Sequence, residues 1–208
     1  MLKINKGSVK PIFFELKKIH SSYDELVESE KNKIKEVLLQ EQQNRCAYCT
    51  CRISLEQSTI EHYIPQSKDR SLSLEYSNMF AVCRVTRDSP RSLQTCDSHR
   101  GSTLLHIDPR KQENIDTIYY THGGRILSVN EDFEYDIDCT LNLNQARLVN
   151  NRCAALSSVF ERSNRRNNSE WKRDKIKKYI EKLGAQGDDT PYAGFLIYML
   201  KKKLRRSQ

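Results

Sequence analysis

Cys46-Ala47-Tyr48-Cys49 is the feature that most narrows what this chain can fold into. Two cysteines separated by two residues put both thiols on one tight turn, and a tetrahedral zinc site takes half of its ligands that way. Cys83 and Cys96 follow downstream and complete a set of four. The chain has seven cysteines, an odd number, so disulfides cannot account for all of them. In a reducing compartment, spaced cysteines point to metal instead. Cys46, Cys49, Cys83 and Cys96 are the preferred ligands; Cys96 with His99 is an alternative pair at knuckle spacing. The four-cysteine choice leaves Asp97 and His99 free for other chemistry. Cys51 sits too close to Cys49 for both to ligate beside Cys46. Cys139 and Cys153 are left over, and Cys153 reads as a buried thiol on a helix face.

The remaining composition sets wide limits. The 208 residues suffice for one ordinary domain or two small ones. With 37% hydrophobic and 30% charged residues the chain is polar but able to build a core. No apolar run approaches the ~20 residues that span a bilayer, and the first residues lack a signal peptide's apolar segment. A cytoplasmic protein is expected. The formal net charge of +8 favours an anionic partner, of which nucleic acid is the most common.

Along the chain, Ile12-Phe13-Phe14 with Leu16 and Ile19 forms an apolar cluster suited to anchoring the N-terminus. Residues 22–44 read as a helix, with Ser22 as N-cap and Glu25 at capping-box spacing. Its stripe is Leu26, Ile34, Val37 and Leu38. Residues 45–54 form the turn that carries the first cysteine pair. Ser58 to Tyr63 is β-favouring, and Pro65 ends it. Residues 66–77 and 84–95 read as loops, and 77–83 as a buried short helix or turn. Tyr119 and Ile126 flank His122-Gly123-Gly124 as a hairpin. Three helices are expected after that: Asn144 to about Phe160; Ser169 to Leu183, with Gly184 at its C-cap; and one from the Thr190-Pro191 cap pair through Leu204. The expectation is a mostly helical chain around a small ββ-metal element.

Inside the cysteine bracket lies Ile60-Glu61-His62-Tyr63-Ile64-Pro65. Phosphodiester hydrolysis needs a base for water and a cation on the phosphate oxygens. An imidazole that titrates near neutrality takes the proton, and a neighbouring carboxylate holds a hard divalent ion. Strand neighbours point to opposite faces, so Glu61 and His62 meet at one ion only with a local twist or bulge.

The order Cys46-Ala47-Tyr48-Cys49, Ile60 to Pro65, Asn78, Cys83, Cys96 resembles the HNH (ββα-metal) endonucleases. It is closest to their PtuB-like branch, the HNH effector subunit of Septu-type and retron-associated antiphage systems. Lys6-Gly7, Phe14-Glu15-Leu16-Lys17, Leu38-Leu39-Gln40-Glu41-Gln42 and Leu141-Asn142-Leu143-Asn144 extend the likeness over residues 1–160. The resemblance implies an α+β fold, mostly helical, with an embedded ββα-metal HNH module stapled by a four-cysteine zinc site. The expected parts are an arm and helix (1–44), the module (45–110), and a hairpin with C-terminal helices packed on it (111–208).

By that resemblance His62 is the general base, Glu61 a ligand of catalytic Mg²⁺ or Mn²⁺, and Asn78 the residue that orients the histidine or its loop. Asp97 takes the last metal-ligand position, with His99 competing for it. Cys46, Cys49, Cys83 and Cys96 hold structural zinc. The candidate DNA contacts are Arg84, Arg87 and Arg91, in the stretch between Cys83 and Cys96, and Arg165, Arg166 and Lys172 further on. Salt-sensitive, weakly specific DNA binding is expected. The resemblance also implies a separate ATPase subunit as partner; this chain has no Walker-type glycine loop, so any nucleotide hydrolysis comes from elsewhere. The last helix, with Tyr192, Phe195, Leu196, Met199 and Leu200, is a candidate docking surface for it as well as a candidate for ordinary core packing. The competing readings are a zinc-stabilised nucleic-acid-binding module without catalysis and an RNase on the same scaffold.

Overall fold

Two antiparallel strands lie at the centre of the N-terminal part of the chain. The computed structural model describes residues 1–165, 173–185 and 187–206. Strand β1 (Ser58–His62) pairs with β2 (Met79–Cys83), Ser58 opposite Cys83 and His62 opposite Met79. Helix α1 (Pro11–Ile19) precedes them, and helix α2 (Glu28–Glu41) packs on both strands with Ile34 and Leu38 fully buried. A single turn, α3 (Asp97–Arg100), follows β2 after the loop between Cys83 and Cys96. The fold class is α+β, with helices and two small antiparallel sheets among the described residues.

The expected helix over 22–44 begins later. The Glu25 carboxylate accepts the Ser21 N–H at 2.9 Å, so it closes a 3₁₀ turn rather than a capping box. The chain is extended at Leu26 and Val27, and the Glu30 carboxylate accepts the Val27 N–H at 3.0 Å to start α2. Left-handed Gln43 and Asn44 end it. Residues 79–83, expected as a helix or turn, are strand β2. Met-Phe-Ala-Val-Cys is buried on both faces, so it shows no alternation to read. Of the N-terminal apolar cluster, Phe13 and Leu16 are buried, whereas Phe14 and Ile19 face solvent.

Short helix α4 (Gln112–Asp116) leads into the hairpin of β3 (Ile118–Tyr120) and β4 (Ile126–Ser128), where the expectation placed one. Gly124 at its turn has φ +80°, and a Cβ there would fall 2.7 Å from the Val149 carbonyl oxygen, so no side chain fits. Helix α5 (Glu131–Tyr135) runs into a π-helical turn (Asp136–Thr140), and α6 (Ala146–Arg165) comes next. The helix thus starts two residues after the expected Asn144. The Asn144 carboxamide pairs with the Ile126 N–H and carbonyl, both at 2.9 Å, as an extra strand would.

Helix α7 (Arg173–Gly184) ends at the expected glycine, and Ser169 lies outside the described residues. Helix α8 (Ala193–Arg206) starts two residues beyond Pro191. Tyr192 has φ 58°, and its N–H donates to the Thr50 carbonyl at 2.8 Å, which holds the cap pair outside the helix. Tyr192, Phe195, Leu196, Met199 and Leu200 are all buried, so this face of α8 packs in the protein's own core. Tyr120 meets Phe195 edge-to-face there with ring centroids 5.3 Å apart. No helix among the described residues is long and apolar enough to cross a membrane.

Candidate metal centre and active site

The first cysteine pair sits on a turn fastened to β2. The Ala47 N–H donates to the Ala81 carbonyl at 3.1 Å. Gln42 donates to the same carbonyl at 2.7 Å and accepts the Ala81 N–H at 2.8 Å. Cys83 ends β2, and Cys96, at φ 58°, opens α3. The Sγ atoms of Cys46, Cys49, Cys83 and Cys96 lie within 4.8 Å of one another, and all four residues are buried. Cys46 and Cys96 are 3.8 Å apart, Cys49 and Cys83 3.7 Å. A tetrahedron with Zn–S bonds of about 2.3 Å has S–S edges of about 3.8 Å, so the four thiols fit one zinc ion.

Cys51 lies beside this set. Burial would raise the Cys46 thiol, but hydrogen bonds from Cys49, Cys51, Cys83 and Cys96 hold it well below the usual range. The hydrogen bond to Cys46 pushes the Cys83 and Cys96 thiols well up in turn. Cys153 is half-buried on α6, not fully buried, and Cys139 is exposed.

Glu61 and His62 close β1, and both are buried. The Tyr48 hydroxyl donates to Glu61 Oε1 at 3.0 Å, and Arg100 Nη1 pairs with the same oxygen. Arg100 is completely enclosed. Its Nε donates to the Thr103 carbonyl at 2.7 Å, Nη1 reaches the His62 carbonyl at 3.2 Å, and Nη2 donates to the Tyr63 carbonyl at 2.6 Å. One guanidinium therefore fixes the carboxylate of Glu61 and the backbone of the next two residues. Asp97 lies three residues before it on α3, within hydrogen-bonding reach of Glu61. Burial and the Asp97 charge push the Glu61 carboxyl well above the usual range despite Arg100. Two adjacent carboxylates need a proton or a cation between them.

His62 Nε2 lies 2.9 Å from the Ser73 carbonyl oxygen. A carbonyl only accepts, so Nε2 carries the hydrogen and Nδ1 keeps its lone pair. The ring meets Tyr23 edge-on with centroids 4.8 Å apart. Burial lowers the imidazole pKa, against the Ser73 carbonyl, Asp97 and Asp24, so the ring is neutral at neutral pH. The charge of Asp97 thus acts on both Glu61 and His62. No bulge interrupts the pairing at either residue. Among the described residues the four cysteines are the sole group of three or more potential ligands so closely gathered. Glu61, His62 and Asp97 form no such group, and successive strand residues Glu61 and His62 point to opposite faces of β1.

Asn78 touches none of these three. Its Oδ1 accepts the Ile64 N–H at 2.7 Å, and its Nδ2 donates to the carbonyls of Ile64 (3.0 Å) and Leu72 (3.2 Å). It staples the loop that presents the Ser73 carbonyl to His62. His99 Nδ1 is 3.0 Å from the Thr140 carbonyl, so this ring is held on the π-helical turn. Asp97, not His99, stands beside Glu61.

Arg84, Arg87 and Arg91 are exposed on a loop with its own order. Gln94 donates to the carbonyls of Arg87 and Ser89, and the Thr86 hydroxyl accepts the Thr95 N–H. Arg91 reaches the Ser98 carbonyl on α3 at 3.5 Å. Arg165 is the last residue of α6; its side chain lies outside the described residues, as do Arg166 and Lys172.

Sequence reasoning missed Arg100, Tyr48 and Ser73. Their only signal was position, Tyr48 inside the knuckle and Arg100 one helical turn after Cys96. No protein-family model matches the chain, and no curated protein matches it.

Proposed function

We propose that this chain is a metal-dependent HNH endonuclease that hydrolyses DNA phosphodiester bonds, the effector of an antiphage defence system. The observation that supports the reading is the buried Glu61-His62 pair at the end of β1, with the charge of Asp97 at the start of α3 acting on both, beside four cysteines spaced for zinc. Hard oxygen donors suit Mg²⁺ or Mn²⁺, which need only one or two carboxylates when substrate phosphate and water fill the other positions. Asp97 and the second oxygen of Glu61 would hold that ion, which when bound supplies charge stabilisation at the phosphate. His62 takes the proton from the attacking water at Nδ1, and the Ser73 carbonyl keeps the ring in that tautomer. Arg84, Arg87 and Arg91 contact phosphates beside α3. Zinc holds the strands and α3 in place and takes no part in the chemistry. The separate ATPase partner rests on the resemblance of residues 1–160, and the cytoplasmic location on the composition.

The second reading, a binding module without catalysis, draws on the ion pair that already satisfies Glu61. The deciding assay is plasmid cleavage by the purified protein with Mg²⁺ or Mn²⁺, with EDTA, and with and without a neighbouring ATPase subunit and ATP. The expected result is metal-dependent cleavage that falls about 10²–10⁴-fold in His62→Ala at unchanged zinc content. No cleavage in any arm, with duplex binding intact, would favour the binding module. Cleavage of RNA in place of DNA would move the activity to the RNase reading.

A further inference from the structure

A cleft of about 330 Å³ opens between the β3–β4 turn, α6 and α8. Leu156, Phe160 and Met199 form its apolar floor, and His122, Lys202, Lys203 and Arg206 its rim. No acidic side chain lines it among the described residues; the nearest acid in sequence, Glu161, is exposed. It shares no residue with the metal centre or the active site. Lys203 Nζ stands 5.3 Å from the centre of the Phe160 ring, and Lys202 Nζ 6.0 Å from that of Tyr198. Arg206 Nη1 lies 3.5 Å from His122 Nε2, so the hairpin turn and the end of α8 form one rim.

Cations at a helix C-terminus are ordinary, because they complement the helix dipole and face water. That account leaves the cleft itself unexplained. Here the basic groups surround a concave apolar floor that includes an aromatic ring. Proteins that hold single-stranded nucleic acid combine these two elements, an aromatic or apolar surface for the base and cations for the backbone. The cleft volume falls at the lower end of small-ligand sites, which suits a single nucleotide unit.

We propose that this cleft is a second nucleic-acid contact, holding one nucleotide of a strand. Its base lies on Leu156, Phe160 and Met199, and its phosphates on Lys202, Lys203 and Arg206. The proposal rests on the nucleic-acid reading above but not on catalysis. It assigns to the end of α8 a gripping role for a strand whose phosphodiester bond is cut elsewhere.

The test uses the full chain carrying His62→Ala, so that nothing is cleaved. A fluorescein-labelled 12-nucleotide DNA strand is titrated by anisotropy across a range of salt. Lys202→Glu with Arg206→Glu is expected to weaken binding at least tenfold and to flatten the log–log salt slope by roughly 1.4. Phe160→Leu is expected to weaken binding about fivefold at an unchanged slope. Lys202→Arg with Arg206→Lys should bind as the parent does, and zinc content checks that each variant is folded. Unchanged affinity in the charge-reversed protein overturns the proposal. So does a charge effect with no effect of Phe160→Leu, which would leave a merely basic helix end. Adenosine monophosphate that fills the cleft while strand binding is indifferent to it would reassign the cleft to free nucleotides and also overturn the proposal. If the parent protein proves inactive in every cleavage assay while these binding shifts appear, the nuclease reading fails and the cleft remains.

Discussion

At the scale of single residues, Arg100 does the most. Its guanidinium is enclosed, and its partners are the Glu61 carboxylate, the Tyr48 hydroxyl and three backbone carbonyls. Burial alone would lower its pKa, but Tyr48, Glu61 and Asp97 around it raise it, so the guanidinium stays charged. Removing one member of a buried pair strands the other, at a cost of about 3–5 kcal/mol. Arg100→Met is therefore expected to lower the melting temperature by roughly 6–20 °C, and adding Glu61→Gln should recover part of that. Thermal unfolding of the two variants measures this, and a single variant as stable as the parent would show that the pair is not structural. His62 makes a pH prediction. Burial lowers its folded pKa from the ordinary 6.5. Above 6.5 the ring is neutral in both folded and unfolded chains and contributes nothing. As the pH falls through 6.5 the unfolded chain takes up the proton first, so the native state loses stability. Cleavage, which needs the neutral ring, should likewise hold at pH 7 and decline only on the acid side of 6.5. A rate profile with its acid limb centred above pH 7 would contradict this.

Among elements, the loop between β1 and β2 matters most, because it carries the Ser73 carbonyl that orients His62. Asn78 holds the loop shut through both carboxamide atoms. Asn78→Ala leaves the Ile64 N–H and two carbonyls without partners, at a cost of about 1–3 kcal/mol. The expected result is a lower kcat with KM and zinc content nearly unchanged, since Asn78 touches neither the zinc site nor the arginine loop. Steady-state cleavage kinetics read this, and a change confined to KM would assign Asn78 to substrate binding instead. The loop from Arg84 to Thr95 is held in a similar way. Hydrogen bonds from Gln94, Thr95 and Asn142 give order to a segment that has no hydrophobic pattern.

Across the whole molecule, the C-terminal helices brace the cysteine turn. Arg45, buried beside Cys46, donates to the Thr190 carbonyl at 2.9 Å and pairs with Asp188 at 2.8 Å. Arg52 pairs with Asp189 at 2.7 Å on the surface, and the Tyr192 N–H meets the Thr50 carbonyl. The exposed pair contributes little; the enclosed one ties the α7–α8 connection to the cysteine turn. Asp188→Ala is expected to destabilise the protein by about 3 kcal/mol and to speed zinc release to a chelator. Unfolding followed by fluorescence, alongside zinc transfer to a chromogenic chelator, checks both. Loss of stability with unaltered zinc release would mean that the helices and the metal turn are energetically separate.

The chain by itself determined the features that depend on near neighbours. A two-residue cysteine spacing makes a knuckle wherever the turn sits. A β-branched stretch before Pro65 puts Glu61 and His62 at a strand end, and two glycines between apolar residues make the hairpin. Strand β2 was illegible because a segment buried on both faces has no period to distinguish it from a buried helix. Tertiary structure decided which groups meet across long separations: Arg100 with Glu61, 39 residues apart, and Arg45 with Asp188, 143 apart. It also put Asp97 rather than His99 beside Glu61, since the two lie two positions apart on one helical turn, about 200° around it, and only packing settles which direction faces β1. Asn78 was noticed from its place in the motif, but its work became visible only once the loop it closes was drawn. Spacing and periodicity are properties of a line, whereas an ion pair or a cleft is a property of the path that line takes through space.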